Sequence, residues 1–333
     1  MITKKTFNYL LLTILFVSIF PIISFGQGAP SNNFLEISLA PQNPEPRQNI
    51  IATLASPYYN LDLSKVSWSI NGVVKQTGIG LRSFNFQAGK GGVAMTVKAT
   101  VNTADDIQEA NIAFIPSVVD IIYESLSYTP PFYKGRALNP NQGVVIVTAI
   151  AELIKPSGEK ISTTNIIYSW KRNDRAEQAN SGLGKNTIVF EGSVPIRDTL
   201  IEVTASSIDG TLRASKSINI SNGNPKIVFY ENNALYGIMF NKAIRNTVLM
   251  LTDEFSVLAV PYYFSVGYAT TPDLDYAWTM NGQTVSNQDP KNSFTTRLET
   301  PGAGSANIGL KISNNNRIFQ FISGGYGINF QNN

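Results

Sequence analysis

The side chains that most often carry enzyme chemistry are missing from this sequence. Its 333 residues include no His and no Cys. That excludes a Ser-His-Asp triad, a Cys nucleophile, a His general base, a zinc centre of the usual ligand set and any disulfide. Carboxylates remain. Glu36, Glu124 and Glu231 recur in matching contexts, Phe34-Leu35-Glu36, Ile122-Tyr123-Glu124 and Phe229-Tyr230-Glu231. Hard oxygen donors suit calcium, but that ion takes about six or more oxygens and no DxDxD-like loop surrounds these acids. Charge on an edge strand, where it discourages strand addition, accounts for them more simply. Asp105-Asp106 and Asp273-x-Asp275 fall where turns are expected. No spacing singles out two carboxylates for glycoside hydrolysis. Gly89-x-Gly91-Gly92 and Gly302-x-Gly304 precede no helix, so they read as turns and not as phosphate loops. The expectation is a chain without catalytic activity, cofactor or metal centre, with calcium between domains left open.

Aromatics are the remaining candidates. Pro57-Tyr58-Tyr59 and Pro261-Tyr262-Tyr263-Phe264 follow apolar strand-like runs at matching places. Neighbouring residues on a strand point to opposite faces, so one tyrosine of each pair can be core and the other needs a further partner. Packing under a loop or against the next domain is one answer, and stacking on a glycan or a partner protein is the other.

Three tryptophans reveal what positions these residues. They lie in Val66-Ser67-Trp68-Ser69-Ile70-Asn71-Gly72, Ile167-Tyr168-Ser169-Trp170-Lys171-Arg172-Asn173-Asp174 and Asp275-Tyr276-Ala277-Trp278-Thr279-Met280-Asn281-Gly282. The spacings are 102 and 108 residues, so three similar units fill the chain. Each Trp sits on an alternating run that ends in Asn-Gly or Asn-Asp, a strand entering a tight hairpin turn. A second shared element follows each, beginning at Gly80-Leu81-Arg82, Gly184-Lys185-Asn186 and Pro290-Lys291-Asn292. About seven short strands in about 100 residues, with Trp on the third, is the layout of an immunoglobulin-like sandwich. The fold expected is all-β, three consecutive immunoglobulin-like β-sandwich domains after an N-terminal signal helix. Boundaries are 1–26 for the signal, then 27–117, 118–224 and 225–333. Trp68, Trp170 and Trp278 form the structural core. With no disulfide, small and branched residues of the second and sixth strands must fill the space beside each Trp.

The leader has a short basic start at Lys4-Lys5, an apolar stretch to Ile23, and small residues Ser24 and Gly26 ahead of Gln27. This is the pattern of a cleaved secretory signal. An uncleaved anchor over residues 7–25 is the alternative. Cleavage would bring the net charge from +3 to +1 by removing Lys4 and Lys5, a balance that offers no footprint for nucleic acid. The chain is expected to be exported, secreted or at the cell surface.

The Trp-x-Ile/Met-Asn-Gly segments and the Asn43-Pro44-Glu45-Pro46 lead-in resemble bacterial Ig-like domains of the PKD type. The tandem, including Tyr128-Thr129-Pro130-Pro131-Phe132-Tyr133-Lys134-Gly135, resembles uncharacterised exported proteins of small-genome, uncultivated bacteria. Only the Trp and turn of the Trp-Asp-Phe-Gly-Asp-Gly motif common in PKD-type domains are present. The resemblance implies extracellular spacing or adhesion, with an unknown surface protein or glycan as partner.

The connections between the first two strands differ among units. Unit two carries Phe132 and Tyr133 there, and unit three carries Met239 and Phe240, each followed by a basic residue, Ala and an aliphatic residue. Unit one has the short, aromatic-free segment 41–47. Only units with a domain before them carry the aromatic loop. The expectation is therefore a wedge against the preceding domain, with Phe132 or Tyr133 touching unit one and Met239 or Phe240 touching unit two.

Overall fold

The structure, a computed structural model, describes residues 35–103, 106–286, 289–299 and 302–331. The expected signal segment, Phe34 and Asp105 lie outside the described residues. Unit one is built from β1 (Glu36–Ala40), β2 (Asn49–Ala55), β3 (Lys65–Ile70), β4 (Val73–Ile79), β5 (Ser83–Gln87), β6 (Met95–Asn102) and β7 (Ile107–Phe114). One sheet has the order β1-β2-β5 and the other β4-β3-β6-β7. Burial alternates strictly along β1, β2 and the first half of β6, because one face of each sheet meets the other sheet and one meets water.

Unit two repeats this order with β8 (Val118–Leu126), β9 (Val144–Glu152), β10 (Ile167–Arg172), the short β11 (Arg175–Ala176) and β12 (Gly182–Leu183), β13 (Thr187–Glu191), β14 (Thr199–Ser206) and β15 (Arg213–Ile220). Unit three elaborates it. Here β16 (Lys226–Asn233) is flanked by an added edge strand, β17 (Gly237–Ile244), and β18 (Thr247–Met250) crosses to the opposite sheet. The remaining strands are β19 (Glu254–Tyr262), β20 (Leu274–Met280), β21 (Gln283–Thr284), β22 (Ser293–Arg297), β23 (Gly304–Asn314) and β24 (Phe321–Phe330). β18 pairs in parallel with β24, while the other strand pairs among the described residues are antiparallel. Each unit is an immunoglobulin-like sandwich with its own apolar core.

The three tryptophans are at equivalent places and are buried. The indole Nε1 of Trp68, Trp170 and Trp278 donates to the backbone carbonyl of Leu81, Lys185 and Lys291, in each case at 2.9 Å. The next residue in each shared element accepts from the opposite strand: Leu54 N donates to Arg82 O, Ala149 N to Asn186 O and Ala259 N to Asn292 O. One dipeptide therefore satisfies the buried indole and extends the sheet it faces. Ala99, Val203 and Leu310 lie opposite the three Trp on the sixth-strand equivalents, and Ala52, Ala149 and Ala259 are fully buried on the facing second strands. These small and branched side chains occupy the space beside the ring.

The turns repeat as closely. Asn71, Asn173 and Asn281 all have positive φ, followed by Gly72, Asp174 and Gly282 with positive φ, as tight hairpins between twisted strands require. The Asn side chain adds a clip, its Oδ1 accepting from the amide of Thr96, Leu200 or Asn307 at the start of the neighbouring strand. The seven-residue edge strand β4 is exposed at all but the half-buried Gly78 and carries Val73, Val74 and Ile79. A register shift that leaves Lys75 as the extra residue interrupts it, and a charged bulge of this kind blunts an edge against strand addition.

Replacing Trp170 by Ala should destabilise unit two by about 3–5 kcal/mol through the cavity it leaves; the denaturation midpoint of unit two should fall. A second expectation follows from the tyrosines. Burial raises the pKa of Tyr276 and Tyr326 in unit three, and of Tyr168 in unit two. A folded unit then keeps protons that its unfolded chain releases above about pH 10, so stability falls as pH climbs past that value. Unit three should unfold first in alkali, seen as a late cooperative rise in tyrosinate absorbance accompanied by loss of its tertiary circular dichroism.

Candidate functional site

Strand direction decides which loops meet at the joints. The first strand of a unit starts at the pole next to the preceding unit and runs away from it, so the connection to the second strand lies at the far pole. That connection faces the following unit. The loops after the second strand and between the last two strands face back. These three connections therefore lie at each joint, together with the linker and nearby strand residues.

At the first joint, Asn43 Nδ2 donates to Ser215 Oγ at 2.7 Å, and Glu45 pairs with Lys216 at 2.9 Å. The hydrogen bond that Lys216 donates to Glu45 raises its pKa, opposed by partial burial. Ile115 packs into the core of unit two, and Gly92 N donates to Pro116 O. A Cβ at Gly92, whose φ is +78°, would stand 2.8 Å from Ile154 of unit two. The glycine run read as a plain turn is also a close-approach surface. A polar cleft of about 380 Å³ opens here between Gln42, Asn43, Lys171, Glu202, Arg213 and Ser215.

The second joint is more deeply buried. Gln320 is fully buried, donates to Asn141 O and Ser265 Oγ, and accepts from Ser265 N and Asn314 Nδ2. Phe319 N donates to Gln142 Oε1 at 3.0 Å, and Arg317 pairs with Glu191 at 2.9 Å. Tyr128 N donates to Phe264 O, and the Tyr128 ring packs against the core of unit three. Gly223 lies under Tyr263, where a Cβ would fall 1.9 Å from the ring. None of these amide contacts was visible in the sequence, because Asn and Gln in loops carry no spacing signal.

An aromatic ladder crosses the outside of this joint. Tyr133 N donates to Pro130 O across a turn with Pro131 second and Phe132 third. Phe132 has φ +65°, the value a type II turn needs at that position and normally obtains from glycine. The residue is 82% exposed, yet its ring meets Phe240 of unit three edge-on at 5.7 Å. Phe240 in turn meets Tyr230 at 5.2 Å, and the Tyr230 and Tyr262 hydroxyls are 3.3 Å apart. The pKa of Tyr262 is raised, first by burial and then by the Tyr230 hydrogen bond and the nearby Tyr128 and Tyr133. Arg136 lies 3.6 Å over the ring of Tyr123.

This corrects the expected wedge against unit one. Phe132 meets unit three, the following domain, because nine residues of β8 carry the chain to the far pole before the loop begins. Phe240 does touch unit two as expected, but it lies on β17 and not on a loop. Met239 is half-buried beside it. The two tyrosine pairs also differ. Tyr59 packs on the unit-one core and Tyr58 is 70% exposed, whereas Tyr262 and Tyr263 are half-buried at the second joint. Both pairs face backward, and only unit three has a described domain there. The strand acids Glu36 and Glu124 are exposed, Glu231 accepts from Asn233, and no group of three acids converges among the described residues.

No family model matches this chain, and no curated protein does. Among solved structures, it is similar to the fibronectin(III)-like modules of Clostridium thermocellum CbhA at 13% identity, over 56% of this chain and 94% of that one, with a TM-score of 0.27. The three N-terminal domains of the bacteriophage RB49 highly immunogenic outer capsid protein match at 13% identity over 90% and 99%, with a TM-score of 0.25. Extracellular domains 3–5 of Drosophila OTK match at 12% over 91% and 98%, with a TM-score of 0.22. Scores this low say nothing about the site, and the fold rests on the strand order given above.

Gln320→Met keeps the volume but leaves Ser265 N and Asn314 Nδ2 without their acceptor. It should cost about 1–3 kcal/mol per stranded group and uncouple the unfolding of unit three from that of unit two, as read by differential scanning calorimetry.

Proposed function

We propose that the chain is an exported, non-catalytic surface protein that acts as a stiff spacer and adhesion module. The observation that carries this reading is the second joint, where a fully buried glutamine bonds both units and an ion pair flanks it. The connections support it as well: three residues separate β7 from β8, and five separate β15 from β16. Tandem sandwiches held this way set a distance and an angle, which is the work of a spacer. Export rests on the leader at residues 1–26, and the PKD-type affinity rests on the Trp and turn segments. The absence of His and Cys favours a non-catalytic role. A second reading, a carbohydrate-binding accessory role, is favoured by one observation, the exposed Phe132 in a backbone position suited to glycine.

Small-angle scattering of the secreted protein should fit one rigid three-body shape. Gly223→Ala, which pushes against Tyr263, should shift or broaden that shape while each unit stays folded by circular dichroism. A parent protein that fits only as an ensemble of freely rotating units would refute the spacer reading. Mass spectrometry of the secreted form should place its start at or near Gln27.

A further inference from the structure

Phe132 is costly twice over. Its backbone has the left-handed conformation that burdens every residue with a Cβ, and its ring faces water. Glycine would serve the turn better, and folding gains little from a phenylalanine that is 82% exposed. Strain with exposure at one residue points to use. The surroundings indicate what would use it. Segments 125–143 and 236–245, which form the ledge, contain Lys134, Arg136, Lys242 and Arg245 and no acid. None of these four cations lies within salt-bridge distance of a carboxylate among the described residues. Arg136, four residues after Phe132 in the chain, is held over the ring of Tyr123 on β8, which fixes its guanidinium. Glu231 on the neighbouring strand is engaged by Asn233. The exposed large apolar side chains of these segments are Leu126, Phe132, Tyr133, Tyr236 and Ile238, against the about 20–30 residues a side of a standard protein interface. A set that small suits one or two sugar rings.

We propose that the Phe132 ledge binds an acidic glycan. A pyranose ring stacks its C–H face on Phe132, and its carboxylate or sulfate pairs with Arg136 and Lys134. The proposal rests on the adhesion reading and supplies its ligand class. The site spans the second joint, so a bound chain would also bridge units two and three through Phe132 and Phe240.

The test is calorimetric titration of the full secreted protein with hexagalacturonate, with cellohexaose as the neutral probe of equal length. Vesicles of phosphatidylglycerol and phosphatidylcholine form a third arm. Hexagalacturonate should bind, with affinity falling as salt rises, and cellohexaose should bind at least tenfold more weakly. Phe132→Gly should lose at least tenfold in affinity while its melting midpoint stays level or rises and its scattering shape is unchanged. The Lys134→Gln, Arg136→Gln pair should erase the preference for the acidic probe. The proposal fails if the parent does not bind hexagalacturonate, if Phe132→Gly binds it as well as the parent, or if vesicles alone are bound. It also fails if Phe132→Gly melts lower and loosens the shape, since Phe132 is then a structural wedge. A flexible parent that still binds the acidic probe through Phe132 would refute the spacer and leave the ligand site standing.

Discussion

One hydrogen bond organises each unit, the donation from a buried indole to a backbone carbonyl across the sandwich. A tryptophan between two sheets removes more apolar surface from water than other side chains, but its N–H must find an acceptor there. The chain supplies one from the segment that crosses between sheets, where backbone carbonyls are not yet used by a ladder. The residue after that acceptor then pairs with the facing strand. The ring therefore fixes both the spacing of the sheets and the point at which the crossing segment joins the second one. Trp68 and Trp278 add a stacked phenylalanine, at 5.6 and 5.1 Å, while Ile188 fills that place in unit two. The clamp tolerates that change because the hydrogen bond, not the ring pair, sets the register.

The repeat was legible because this clamp needs a fixed order of residues: an alternating strand, Trp, a turn of Asn with Gly or Asp, and a short lead to an apolar strand. Each requirement is local, so it leaves a pattern. The clip from Asn71, Asn173 and Asn281 to the sixth-strand equivalent is a contact between distant segments, and the sequence marked its Asn only as a turn residue. The joints were much less legible. Asn141, Gln142, Ser265 and Gln320 meet across large sequence separations, and polar loop residues follow no period. Gly92 read as part of an ordinary turn, and nothing in the sequence set Gly223 apart, although a side chain from the next unit presses on each.

The misplaced wedge teaches a related point. Comparing loops by the number of domains before them treats a unit as a point on the chain. A strand is a vector of about 3.3 Å per residue, and its far end is where the next connection must be. With that applied, segment 41–47 and the loop from 127 to 142 are the same element, each facing the following unit. Asn43 and Glu45 then correspond in role to Asn141 and Gln142. β17 could not be seen beforehand, because a loop that turns back and pairs with the edge of β16 still reads as a mixed polar and apolar connection.

The two joints answer the same geometric demand with different chemistry, and stiffness follows from the difference. At the first, the direct polar links are an ion pair and an Asn–Ser bond, both partly open to solvent. Exposed ion pairs contribute little and are screened by salt. Shape does the rest there, through Ile115 in the neighbouring core and the fit of Ile154 on Gly92. At the second joint the central links are neutral amides with almost no access to water. Burying them is tolerable only while all partners are in place, so a small rotation would strand several polar groups together. A joint of that kind resists bending cooperatively, and its central links are indifferent to salt. It is also the joint that carries the aromatic ladder, whose Phe132 and Phe240 belong to different units and keep their spacing only if the joint holds.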